Sequence, residues 1–162
     1  MGRVCNEVSG KIIWFTGLSA SGKTTLADQL AKQYNSGMIR IEGEDVRKAI
    51  AKDYGYSEKD RKHVVLKMYD ISRYLRHQGI TSIMCSVTAP DRVIDKDFIE
   101  IYLRCPVGIC RQRDYKDTYS NKDVVGVDIE YREPLDPDVV IDTSRCTPKQ
   151  GVLKILEMIN NK

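Results

Sequence analysis

The stretch GLSASGKTT, Gly17 to Thr25, carries the pattern G-x-x-x-x-G-K-[ST] at Gly17, Gly22, Lys23 and Thr24. Residues of these types at this spacing suit one task, the holding of a phosphate chain. The glycines permit a backbone in which successive N–H groups, from Leu18, Ser19, Ala20 and Ser21 on to Thr25, turn inward on anionic oxygens. A helix that starts at the end of the loop adds the partial positive charge of its N-terminus. In such a site Lys23 reaches the β- and γ-phosphates of ATP, and the Thr24 hydroxyl ligates Mg2+. The bland alternative is a glycine-rich turn with an idle lysine. The flanking segments speak against it, because an apolar run precedes the loop and LADQLAKQY follows it.

A motor or ATPase built on this loop would place an acid at the end of another buried strand, to hold Mg2+ through water. No acid follows the run ITSIMCSV. Acids follow the second apolar run instead, as Glu42, Glu44 and Asp45. That placement favours a small-molecule kinase over a motor or ATPase.

Five strands and five helices must position these groups. Strand candidates are 12–16, 38–41, 80–87, 98–103 and 139–142, and helical candidates are 22–34, 45–52, 57–78, 106–115 and 148–160. In the longest helix, Val64, Met68, Ile71 and Leu75 recur at helical spacing and Gly79 follows as a stop. Near-continuous apolar strands interleaved with helices imply an α/β three-layer sandwich around a five-stranded parallel sheet, the P-loop fold of nucleotide kinases. Ligands then gather at the carboxyl ends of the strands. The polar stretch 114–134 reads as a mobile, lid-like loop.

The bulk properties narrow the class. The chain has 162 residues, 41% hydrophobic and 30% charged, with a formal net charge of +3. One domain spanning 1–162 with a short N-terminal extension, 1–10, accounts for that length. The charge excess is too small to argue for nucleic acid or a membrane surface as partner. No apolar run reaches transmembrane length, and the five cysteines form no C-x-x-C pair or zinc spacing. A reduced, cytoplasmic location is expected, and a homodimer is compatible with the sequence.

Several motifs then align in order: GLSASGKTT, EGEDVR, YGYSEKDR before the long helix, SVTAPDR, FIEIYLRCPVGICRQRD and EYREPLDPDVVIDT. Together they resemble the adenylylsulfate kinases over about residues 11–145. That resemblance implies transfer of the ATP γ-phosphoryl to the 3′-hydroxyl of adenylylsulfate, giving 3′-phosphoadenylylsulfate. By position, Glu42 matches the first acid of the family's Asp-Gly-Asp, which binds Mg2+ or takes the hydroxyl proton, and Glu44 matches the second. Which of the two is the working acid stays open. Arg47 and Arg61 match arginines that hold the acceptor's anionic end, and Tyr56 stands at a base-stacking phenylalanine. Ser86 matches a serine after the third strand, Lys116 a lid lysine, and Arg113 a cation near the nucleotide and its transferring phosphoryl.

Four departures fall on the acceptor side. Both acids are glutamates and so reach one methylene further. Val64 replaces an asparagine one turn beyond Arg61, Val124 replaces a second aromatic of the base clamp, and the lid is several residues shorter. These changes leave two alternatives open: the same transfer to a different nucleotide 3′-hydroxyl or other small hydroxyl acceptor, and a nucleotide-binding domain without turnover.

Overall fold

The computed structural model describes residues 10–34, 37–88 and 97–161. The N-terminal extension up to residue 9 and the A-P-D-R part of SVTAPDR lie outside the described residues.

A five-stranded, all-parallel sheet has the order β2-β3-β1-β4-β5. Its strands are β1 Ile12–Thr16, β2 Ile39–Glu42, β3 Ser82–Ser86, β4 Ile99–Arg104 and β5 Val139–Asp142. The helices are α1 Lys23–Gln33, α2 Gly43–Ile50, α3 Glu58–His77, α4 Val107–Arg113 and α5 Pro148–Asn160.

Alternation along the strands divides the core in two. Ile13 and Phe15 of β1 join Leu26, Ala27 and Leu30 of α1 and Val152 and Ile155 of α5 on one face. Ile12 and Trp14 join Val46 of α2 and Val64, Val65 and Met68 of α3 on the other. Successive strand side chains point to opposite faces, so a strand buried on both sides is apolar throughout. All five β1 residues are accordingly buried. The result is the three-layer α/β sandwich expected.

Element boundaries differ from expectation where backbone groups find local partners. The third strand begins at Ser82 rather than Ile80, because the Ile80 N–H donates to Leu75 O (2.9 Å) and closes α3. The fourth helix ends at Arg113, where the Asp114 N–H turns back to Arg111 O. The second strand is shifted one residue along, Ile39–Glu42 in place of 38–41, and α2 begins at once at Gly43. The segment 114–134, read as a mobile, lid-like loop, contains a 3-10 turn at Thr118–Ser120 and a bridge between Val125 and Ile129.

Register sets the site. Thr16 of β1 pairs with Ser86 of β3, and Glu42 of β2 pairs with Cys85. The phosphate loop, Glu42 and Ser86 therefore lie together at the carboxyl ends of the strands, beside the point where chain order reverses around β1.

Candidate active site

The loop between β1 and α1 is held by close approach and by left-handed backbone. Gly17 has φ +153°, and a Cβ there would lie 2.7 Å from both Leu103 O and Ser21 Oγ. Gly22, at φ +102°, caps α1 without a side-chain hydrogen bond, and the first turn of the helix carries no acid. Those first N–H groups are thus open to an anion. Ala20 adopts φ +59° despite its Cβ, local strain of the kind that clusters at binding loops. Ser21 is fully buried in the loop, its hydroxyl without a partner among the described residues.

Lys23 folds back over the loop, donating to Gly17 O (2.9 Å) and Leu18 O (2.6 Å). Burial of the ammonium pulls its pKa down to about 8, with the Glu42 carboxylate among the groups acting the other way. An anionic phosphate beside Lys23 would favour the ammonium form and oppose that shift.

Across the loop, Thr24 Oγ1 donates to Glu42 Oε1 at 2.7 Å. The two residues read as metal ligands are therefore brought together from α1 and β2. Among the described residues no cluster of three or more histidine, cysteine or acidic side chains could enclose a metal ion. That donor set fits Mg2+, which is held by one or two protein oxygens together with phosphates and waters. Glu44 lies elsewhere, in the first turn of α2, where it pairs with Lys48 (2.9 Å) and with Lys116 of the lid (3.9 Å). The Lys48 hydrogen bond holds the Glu44 carboxyl below its usual range. Glu42 faces the phosphate loop; Glu44 is tied to lysines.

Ser86 is buried and already committed. It accepts from Trp14 Nε1 (2.8 Å) and donates its only proton to Thr88 O (2.6 Å). Its hydroxyl anchors the β3 end and the indole, and a donor role towards substrate would require breaking the Thr88 bond.

Arg47 and Arg61 converge on Tyr56. Arg47 Cζ lies 4.4 Å from the ring centroid and Arg61 Cζ 5.4 Å. Arg47 donates to Gly55 O (3.2 Å), and Arg61 to Tyr56 O (2.8 Å) and to Asp123 O in the lid (3.0 Å). Neither arginine pairs with a carboxylate among the described residues. Burial and the neighbouring Arg47 both lower the Arg61 pKa. Val64 and Val124 are both buried beside them, where they give this end of the cavity an apolar wall.

At the opposite end, Arg113 donates to Thr143 O (2.9 Å) and Thr143 Oγ1 (3.4 Å), while Thr143 Oγ1 donates to Ser21 O (2.8 Å). Arg113 is thus set against the β5–α5 loop and behind the phosphate loop. The lid is fastened to the phosphate loop by Tyr119, whose hydroxyl donates to Ser19 O (2.8 Å), and by Leu18 packing beneath Gly126. One cavity of about 1290 Å³ joins Lys23, Thr24, Glu42, Arg47, Arg61 and Arg113. It exceeds the roughly 300–1,000 Å³ of a drug-sized site, and so has room for two ligands.

Sequence reasoning missed Asp28, Arg40, Tyr119 and Thr143. Arg40 stands two residues before Glu42 and so shares its strand face, a signal that was present. Thr143 and Tyr119 act on the loop from 122 and 100 residues away, and no local pattern marks them. The free cysteines Cys85 and Cys110 are buried, with burial pushing both thiols up to about 12.

The sequence profile described as adenylylsulphate kinase matches residues 9–142. The chain is 34% identical to the adenylyl-sulfate kinase of Clostridium kluyveri, over 95% of this chain and 85% of that one. It is 33% identical to that of Staphylococcus haemolyticus, over 93% and 84%. In fold it is similar to the APS kinase of Mycobacterium tuberculosis solved in complex with AMPPNP and APS, with TM-score 0.84, 22% identity, and 94% and 98% coverage. The fold also resembles shikimate kinase from Aquifex aeolicus at TM-score 0.58 and 13% identity, over 93% and 96%. With profile and relatives spanning nearly the whole chain, from the phosphate loop to the last strand, the protein belongs to the adenylylsulfate kinase family.

Proposed function

We propose that the protein transfers the γ-phosphoryl of ATP to the 3′-hydroxyl of adenylylsulfate, giving ADP and 3′-phosphoadenylylsulfate. The observation that carries this reading is a single cavity holding the Thr24–Glu42 pair beside Lys23 and, at one end, two arginines without carboxylate partners. The 3′-oxygen attacks the γ-phosphorus, the bond from that phosphorus to the β,γ-bridging oxygen breaks, and the hydroxyl proton passes to Glu42. Thr24, with Glu42 Oε1, would hold Mg2+, which neutralises charge on the β- and γ-oxygens when bound. Lys23 turns from the loop carbonyls to the phosphates, the loop N–H groups fix them, and Arg113 adds positive charge on the nucleotide side. Arg47 and Arg61 would grip the phosphosulfate, whose planar spread of oxygens suits a guanidinium fork. Lys116 carries the lid towards this end, and closure excludes water that would otherwise take the phosphoryl.

A second reading, transfer to a different nucleotide, is favoured by one observation. The Arg47 guanidinium already covers the Tyr56 ring, and valines stand where further base contacts would arise. The deciding experiment measures ADP release from MgATP with adenylylsulfate and with a panel of 3′-hydroxyl nucleotides, beside a Lys23→Ala control. Turnover specific to adenylylsulfate is expected. Turnover with another nucleotide alone would establish the second reading, and nucleotide binding without any transfer would make this a non-catalytic domain. For the assembly we propose a homodimer, supported by Leu66 and Tyr74 exposed eight residues apart on α3; light scattering tests it.

A further inference from the structure

Arg40 has no part in the chemistry above, yet it touches the residue at its centre. Arg40 and Glu42 lie two apart on β2 and share the face turned towards α1. Arg40 Nε is 3.3 Å from Glu42 Oε1, and its Nη1 pairs with Asp28 Oδ1 of α1. The guanidinium thus spans two carboxylates from two elements, a use of its fork that an ammonium could not copy. Both contacts to Glu42, from Thr24 and from Arg40, fall on Oε1. Oε2 carries no hydrogen bond among the described residues and is the oxygen left for substrate.

We propose that Arg40 is a positioning residue that holds the Glu42 carboxylate against the phosphate loop, with Asp28 as its anchor. The inference rests on the reading of Glu42 as the acid that faces the acceptor hydroxyl. A glutamate has one more rotatable bond than an aspartate and so more rotamer freedom to lose. Fixing Oε1 from two sides removes that freedom and aims Oε2. Charge supports the arrangement. Arg40 with Glu42 alone would be neutral, and Asp28 returns the trio to one net negative charge. Glu42 is the more enclosed of the two acids, its side chain 18% exposed against 49% for Asp28. Ion pairs this open to water add little stability, so the effect belongs in turnover rather than in folding.

The test uses the full chain and five variants: Arg40→Gln, Arg40→Lys, Glu42→Gln, Glu42→Asp, and Glu42→Asp with Arg40→Gln. Each is measured for kcat, for the KM of ATP and of the acceptor, and for Tm. Arg40→Gln is expected to lower kcat about tenfold with the KM for ATP and the Tm little changed. Arg40→Lys should recover part of the loss. In the Glu42→Asp background the carboxylate withdraws from Nε, so Arg40→Gln should change kcat less than about twofold. Wild-type kcat in Arg40→Gln, or an equal fold loss in both backgrounds, would overturn the proposal. If those arms fail while Glu42→Gln is inactive, the reading of Glu42 stands. Full turnover in Glu42→Gln would remove that reading and this inference together.

Discussion

Deprotonation of Lys23 gives a prediction whose sign and size follow from one side chain. Its pKa in the folded protein is about 8, against an ordinary value of 10.5. Between those values the unfolded chain binds more protons than the folded one, so stability without nucleotide rises with pH across that window. The gain is at most about 3 kcal/mol, because each pKa unit is worth about 1.4 kcal/mol and the half-buried side chain retains some solvent screening. Below pH 8 both states are protonated and the contribution is flat. Nucleotide binding reverses the balance. Phosphate oxygens restore the ammonium, so at pH 8.5 MgATP binding without acceptor should take up about 0.8 proton at this site, and almost none at pH 6.5. Calorimetric titration in two buffers of different ionisation enthalpy reads that number directly. The Lys23→Ala variant, which keeps the rest of the loop, should lose both the uptake at pH 8.5 and the rise in Tm above pH 8. Equal proton uptake at the two pH values, or an undiminished rise in the variant, would refute the reasoning.

Two further outcomes are expected. Gly17→Ala should lower Tm and abolish MgATP binding, because the new Cβ would meet the Leu103 carbonyl, which cannot move aside as a side chain could; overpacking of this kind costs about 1–3 kcal/mol, and thermal unfolding with and without nucleotide measures both effects. Arg47→Ala and Arg61→Ala should each raise the acceptor KM by about 10- to 100-fold and leave the KM for ATP nearly unchanged, since hydrogen bonds to charged groups are worth roughly 1.5–3 kcal/mol; steady-state kinetics with each substrate varied in turn separates the two.

What could be read from the sequence was whatever is written locally. The phosphate loop depends on residues within nine positions, and its context is a strand and a helix on either side. The sheet was legible because strands buried on both faces are continuous apolar runs. Glu42 and the paired arginines were found through the ordered motifs, and they do reach one cavity. Partnerships made at a distance escaped. Ser86 is matched by position to a serine after the third strand, and nothing local reveals that Trp14, 72 residues away, donates to it. Val124 reads as a lost aromatic, although it is buried and lines the same cavity as Val64. Arg40 carries no reading at all, and only the docking of α1 brings Asp28 to its side. In each case the local residue type is compatible with several fates, and tertiary packing selects one.

The lid is moored at two places. Its tyrosine, Tyr119, holds the carbonyl of Ser19 on the phosphate loop, and its backbone at Asp123 is held by Arg61 among the cations at the far end. One short segment therefore feels both substrates. Whatever either ligand does to the free energy of that segment must reappear, by the same factor, in the affinity of the other. A shorter tether leaves less slack to absorb such a change. The order of substrate addition then alters the rates along each path but not the work of completing the ternary complex, and donor and acceptor meet as linked events rather than as two independent tenants of one cavity.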